Sequence, residues 1–192
     1  MTAVPEVFPE ELPRDAPTPH EPASGSARLP RSAQIYLLCL GVVTLAAAGN
    51  FYLHAPRVRS GWVTFVVLAI AATVAQVFPV KSPRNMMYHT SIVFLVAAAL
   101  LLPPELIVLI PLLQTVPEWL KERYPWPIQG FNISNYTLNA LATWGVAHLF
   151  VHHATFISSH DARFAAAGLA GCCVFVATNH VLVAVILKLG RN

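Results

Sequence analysis

The sequence predicts an all-α membrane protein, a polytopic bundle of about six transmembrane helices with both termini in the cytoplasm. Three observations lead there. Charged residues make up 11% of the 192 positions and hydrophobic residues 56%, with a mean hydropathy of +0.58. A soluble domain carries about 25% charged residues, so this chain has too few charges to solvate an ordinary surface. Its apolar residues also fall in long runs, and a bilayer-spanning helix needs about 20 of them. Finally, Lys and Arg are distributed unevenly between the segments that join the runs.

Residues 1–31 stand apart, with seven prolines, five acidic residues and three arginines. Such a segment cannot bury enough apolar surface to offset its ordering entropy, and a disordered cytoplasmic tail is expected. It has no basic start leading into an apolar stretch, so it does not read as a signal peptide. The transmembrane domain is expected over 32–192. Its first span covers about 33–53, between Arg28 and Arg31 on one side and Arg57 and Arg59 on the other. The second covers about 62–80, entered through Trp62 and closed by Phe78-Pro79.

A short polar turn from Lys81 to Asn85 leads to a third span, about 87–102, which ends at Pro103-Pro104-Glu105. The fourth, about 106–120, carries Pro111 and Pro117. Each proline removes a backbone donor and kinks a helix, so bending is expected here. The charged and aromatic stretch from Glu118 to Trp126 suits a membrane surface. The fifth span, about 131–151, is the most polar, and the sixth covers about 164–187.

Orientation follows from the basic residues. With the N-terminus inside, the inner segments hold Arg14, Arg28, Arg31, Lys81, Arg84, Lys121, Arg123, Lys188 and Arg191, against Arg57, Arg59 and Arg163 outside. No basic run is dense enough for nucleic acid. Cys39, Cys172 and Cys173 lie within apolar runs and read as small buried apolar residues.

Polar side chains within spans are costly and are the natural place to look for function. Asn132, Asn135 and Asn139, spaced i, i+3 and i+7, share one face of the fifth span. Gln76, His89, Gln114, Asn179 and His180 fall in the inner halves of their spans, so an inter-helical hydrogen-bond cluster is expected there. It serves either as packing glue or as a ligand or conformational-switch site. A second constellation is histidine-rich: His148 and His152 are one helical turn apart, and His160-Asp161 lie across a short outer loop. Three readings apply to it: a transition-metal site, a pH sensor, or plain interfacial residues.

No phosphate-binding loop, H-E-x-x-H or G-x-S-x-G motif is present, and the spans carry almost no carboxylates, with Glu105 and Glu118 placed at span ends. Neither an active site nor a cofactor is expected.

The order of features resembles the multi-helix N-terminal membrane region of bacterial cyclic-di-GMP signalling proteins, where it precedes an HD-GYP phosphohydrolase or GGDEF cyclase domain. The resemblance is carried by Phe78-Pro-Val80, by Phe131-Asn-Ile-Ser-Asn-Tyr-Thr-Leu-Asn-Ala140, and by Val176-Ala-Thr-Asn-His-Val-Leu-Val-Ala-Val185. It implies fold-defining roles for Phe78, Pro79, Asn132, Tyr136 and Asn179. It also implies a sensory or anchoring module of the bacterial inner membrane, partnered by lipid and by a second copy or a signalling domain in cis. Any catalytic domain is expected beyond residue 192. The alternatives are a solute-binding subunit of a vitamin-uptake type of transporter and a purely structural membrane protein.

Overall fold

The computed structural model describes residues 29–54, 61–78, 80–81, 87–88, 90–123, 125–154 and 157–190. The protein is all-α apart from one minimal β-pair. Seven helices are described: α1 (Arg31–His54), α2 (Trp62–Val77), α3 (Ser91–Leu101), α4 (Pro104–Ile107), α5 (Leu109–Glu122), α6 (Trp126–His153) and α7 (His160–Gly190). All of the Pro-rich tail up to residue 28 lies outside the described residues, as do Pro79 and His89.

Helix boundaries differ from the sequence expectation where local chemistry intervenes. The second span was expected to reach residue 80 and the third to begin at 87. Instead α2 ends at Val77, and Val80–Lys81 (β1) pairs antiparallel with Met87–Tyr88 (β2) before α3 begins at Ser91. An apolar run reads alike as strand or helix when it is this short. The fourth run breaks at Val108. Pro111 has no N–H to give the Ile107 carbonyl and its ring crowds that carbonyl, and α4 ends at Ile107. Pro117, by contrast, is carried inside α5.

Helix α6 starts five residues earlier than expected because Trp126 and Pro127 open it, and a first turn tolerates proline. Helix α7 starts at His160, where the Ser159 hydroxyl accepts from the Ala162 N–H at 3.4 Å and Asp161 sits in the first turn.

Successive long helices alternate in direction, with α4 and α5 taken as one. Gln76 near the end of α2 meets Ser91 at the start of α3, while Gly61 at the start of α2 lies beside Leu102. The Tyr36 hydroxyl early in α1 donates to the Leu182 carbonyl late in α7 at 3.2 Å, so these helices are antiparallel. Phe51 and Trp144 pack edge to face at 5.2 Å, late in both α1 and α6. The start of α1 and the end of α7 therefore lie at one end of the bundle, together with the α5–α6 connection.

The α6–α7 pair is the most extensive in the bundle. It closes tightly at Gly171, whose carbonyl accepts from the Thr143 hydroxyl at 3.3 Å. An apolar core built on Phe65, Leu95, Ile107, Ile110 and Phe175 joins α2 through α7.

The polarity of the bundle is inverted relative to a soluble protein. Large apolar side chains cover its outside: Leu38, Val42 and Leu45 on α1, Val63 and Val67 on α2, Leu169 and Val181 on α7. Gln76, Gln114, Glu118, Gln129, Asn135 and Asn139 are buried. Two helices, α1 and α7, are long and apolar enough to cross a membrane, and only 11% of each apolar window is buried. Helix α6 is long enough but too polar to join them. Helix α3 has 11 residues, about 16 Å of rise against a hydrocarbon core of about 30 Å.

Candidate functional site

Two hydrogen-bonded clusters occupy the interior near the end of the bundle where α2 and α5 finish. Helix α5 is the key to the first. Its exposed stripe is apolar (Leu109, Leu112, Leu113, Val116, Leu120), and its buried stripe includes Gln114, Thr115 and Glu118. Turned inward, that polar stripe brings a carboxylate into the bundle. The Gln76 amide donates to Glu118 Oε2 at 2.8 Å, and the Ser91 hydroxyl donates to Gln76 Oε1 at 2.6 Å. Tyr136 on α6 lies next to the same Gln76–Glu118 pair. Gln76 thus ties together α2, α3 and α5, with α6 alongside.

The second cluster joins α6 to α7. Asn135 Nδ2 donates to Asn179 Oδ1 at 2.6 Å, and Asn139 Nδ2 reaches Asn135 Oδ1 at 3.2 Å and Asn179 Oδ1 at 3.4 Å. Because Tyr136 follows Asn135 directly, one turn of α6 feeds both clusters. Several buried polar atoms have no partner among the described residues: both amide atoms of Gln114 and of Gln129, and Asn139 Oδ1. Each such group costs free energy in a low-dielectric interior unless it finds a partner.

Three threonines within the helices are satisfied locally instead. Thr44, Thr73 and Thr115 each donate to the carbonyl four residues back, an arrangement that hides a hydroxyl on an apolar helix.

The chain matches no protein-family model, no curated protein and no solved structure. Function must therefore be argued from the geometry.

Of the residues singled out by sequence, Asn135, Asn139 and Asn179 come together, and Gln76 belongs to the neighbouring cluster. Asn132 is half-buried outside the asparagine triad. His180 is exposed, and its ring pairs with the Val176 carbonyl of its own helix at 2.8 Å, so it faces away from its neighbour Asn179. His89 lies outside the described residues.

The histidines form two separate pairs. His148 stacks on Trp144 with ring centroids 4.9 Å apart, and His152 follows at 4.2 Å from His148. His160 and Asp161 are 3.7 Å apart on the exposed start of α7. Among the described residues no three His, Cys, Asp or Glu side chains group as metal donors. His148, His152, His160 and Asp161 are thus not one donor set.

Sequence reasoning missed Glu118 and Ser91. Glu118 reads as part of a charged surface stretch because Lys121, Glu122 and Arg123 follow it. The usable signal was its i, i+4 spacing from Gln114, opposite the apolar stripe of α5.

Proposed function

We propose that this chain is an integral membrane sensory or anchoring module of six passes, with both termini cytoplasmic, that regulates a cytoplasmic signalling output. The observation that carries the membrane part is the inverted polarity. Monomeric soluble proteins rarely expose apolar patches beyond a few hundred Å², yet α1, α2, α5 and α7 turn whole faces of Leu, Val and Ile outward. The core helix of a soluble protein would be mostly buried, which α1 and α7 are not. Six passes require α4 and α5 to act as one interrupted span, α3 to cross with help from the β-pair, and the polar α6 to cross with its asparagines turned toward α7. The shared end of α1 and α7 supports placing both termini on one side, and the basic residues favour the cytoplasm.

The signalling part rests on the polar interior and on the resemblance to membrane regions of cyclic-di-GMP proteins. Two adjacent clusters that together touch five helices, beside Gln114 and Gln129 with no partner among the described residues, suit a bundle with two arrangements close in free energy. The Val108 break gives α4 and α5 a place to move. The test is to place Asn179→Ala in the gene at its own locus and measure cellular cyclic-di-GMP and the abundance of the protein in membranes. A changed nucleotide level at unchanged abundance is expected. If neither this variant nor deletion of the gene alters the level, the signalling reading is wrong.

One observation favours the transporter-subunit alternative: a cleft of about 210 Å³ lined by Trp144, His148, His152 and Phe164 at the opposite end of the bundle. A small molecule copurifying with the protein, and lost in His148→Ala, would support it.

A further inference from the structure

At the α5–α6 connection a cleft of about 470 Å³ is lined by Trp119, Leu120, Arg123, Pro125 and Trp126. The two indole rings lie 4.8 Å apart, tilted by 40°. Arg123 ends α5 in the left-handed region at φ 51°, the one non-glycine residue with positive φ among those described. Its guanidinium is exposed, and no ion pair or side-chain hydrogen bond among the described residues occupies it.

From this cleft an exposed stripe, Leu120, Val116 and Leu113, runs up α5. Leu113 then borders a second depression of about 260 Å³ between α2 and α5, lined by Ala69, Ile70, Thr73 and Val74. Seven residues of helix separate Leu120 from Leu113, a distance of about 10 Å.

We propose that this surface is a binding site for an anionic phospholipid: the phosphate against Arg123, the glycerol region between the two tryptophans, and an acyl chain along Leu120, Val116 and Leu113 into the α2–α5 groove. The inference rests on the membrane reading above.

Charge and shape both select this occupant. Arg offers several N–H donors in a fixed fork that fits phosphate oxygens. Tryptophan is enriched where bilayer meets water, which places the cleft at headgroup depth. The dipole at the start of α6 adds a weak attraction for an anion, whereas the last carbonyls of α5 oppose it. The side chain of Arg123 is therefore the element the site requires. Basic pockets between helices on the cytoplasmic side are the general form of such sites.

The variant Arg123→Gly separates charge from fold, because glycine takes the left-handed conformation at a helix end without strain. The full chain is reconstituted into phosphatidylcholine vesicles, and its relative association with spin-labelled phosphatidylglycerol and phosphatidylcholine is measured. The wild type is expected to prefer phosphatidylglycerol. Arg123→Gly is expected to lose about fivefold of that preference, the weight of one basic side chain at an anionic surface.

Equal association of the two lipids with the wild type, or an undiminished preference in the variant, overturns the proposal alone. So does loss of the preference on adding glycerol 3-phosphate, which would make the site one for soluble phosphate. Failure of the protein to enter vesicles overturns the membrane reading and the proposal together.

Discussion

Gln76 of α2 donates its side-chain amide to the buried Glu118 carboxylate of α5 at 2.8 Å, 42 residues along the chain. Both residues lie near the ends of their helices, so the bond fixes the two parallel helices in register at the end that faces the cytoplasm in the proposed orientation. Ser91 and Tyr136 approach the same amide from α3 and α6, which leaves Gln76 little freedom to rotate.

Removing the carboxylate should therefore destabilise more than neutralising it in shape. Glu118→Leu leaves the Gln76 amide buried and unpaired, and a loss of about 2 kcal/mol is expected. Glu118→Gln keeps an acceptor oxygen at the same reach and should cost less than about 1 kcal/mol. Reversible unfolding in mixed micelles measures both. Equal losses would mean that Glu118 acts through volume and not through the bond to Gln76.

The asparagine cluster should show coupling between helices. A double-mutant cycle of Asn135→Ala and Asn179→Ala isolates the 2.6 Å bond between them. Side-chain hydrogen bonds within membrane bundles average about 0.6 kcal/mol and reach about 1.7. A coupling in that range is expected, toward the upper end because Asn139 shares the acceptor. Additive losses would show that each asparagine finds another partner once its neighbour is gone.

Gly171 tests the closest approach of α6 and α7. A Cβ added there would sit 2.9 Å from the Thr143 methyl carbon. Gly171→Ala should cost about 1–3 kcal/mol, the usual penalty for overpacking. Adding Thr143→Ser removes that methyl and keeps the hydroxyl that bonds the Gly171 carbonyl, so the double variant should recover most of the loss. Gly145, with open space around its Cβ position, should accept alanine without loss. Thermal melting of the detergent-solubilised protein ranks the three variants against the wild type.

The sequence made the helical runs legible because long apolar stretches admit few other readings. The ends of those runs were less legible. The polar face of α6 showed in the spacing of Asn135 and Asn139, but whether Asn132 joined them depended on the rotation of α6 against α7. His180 follows Asn179 and so points about 100° away. That neighbouring residues diverge is a certainty of helix geometry; which one faces inward is decided by packing. Glu118 was hidden by the charges after it, and only the turn of α5 that buries Gln114 assigns it to the interior.

The membrane reading makes a prediction about the cysteines. Cys39 on α1 and Cys172 and Cys173 on α7 are exposed on the bundle and not buried as their apolar surroundings in the sequence suggest, because those apolar faces point outward. In water they would react at once with a charged maleimide. In a bilayer they face hydrocarbon, where neither the reagent nor the reactive thiolate is at home. In intact cells the native chain should remain unlabelled, then label fully after unfolding in SDS. Ser158→Cys, in the exposed stretch before α7, should label from outside the cell, because the proposed orientation puts that connection opposite both termini. Labelling of the native cysteines without SDS would mean that the apolar faces of α1 and α7 meet water. Silence at residue 158, with labelling restored once the membrane is opened, would reverse the orientation and place Arg123 and its cleft outside.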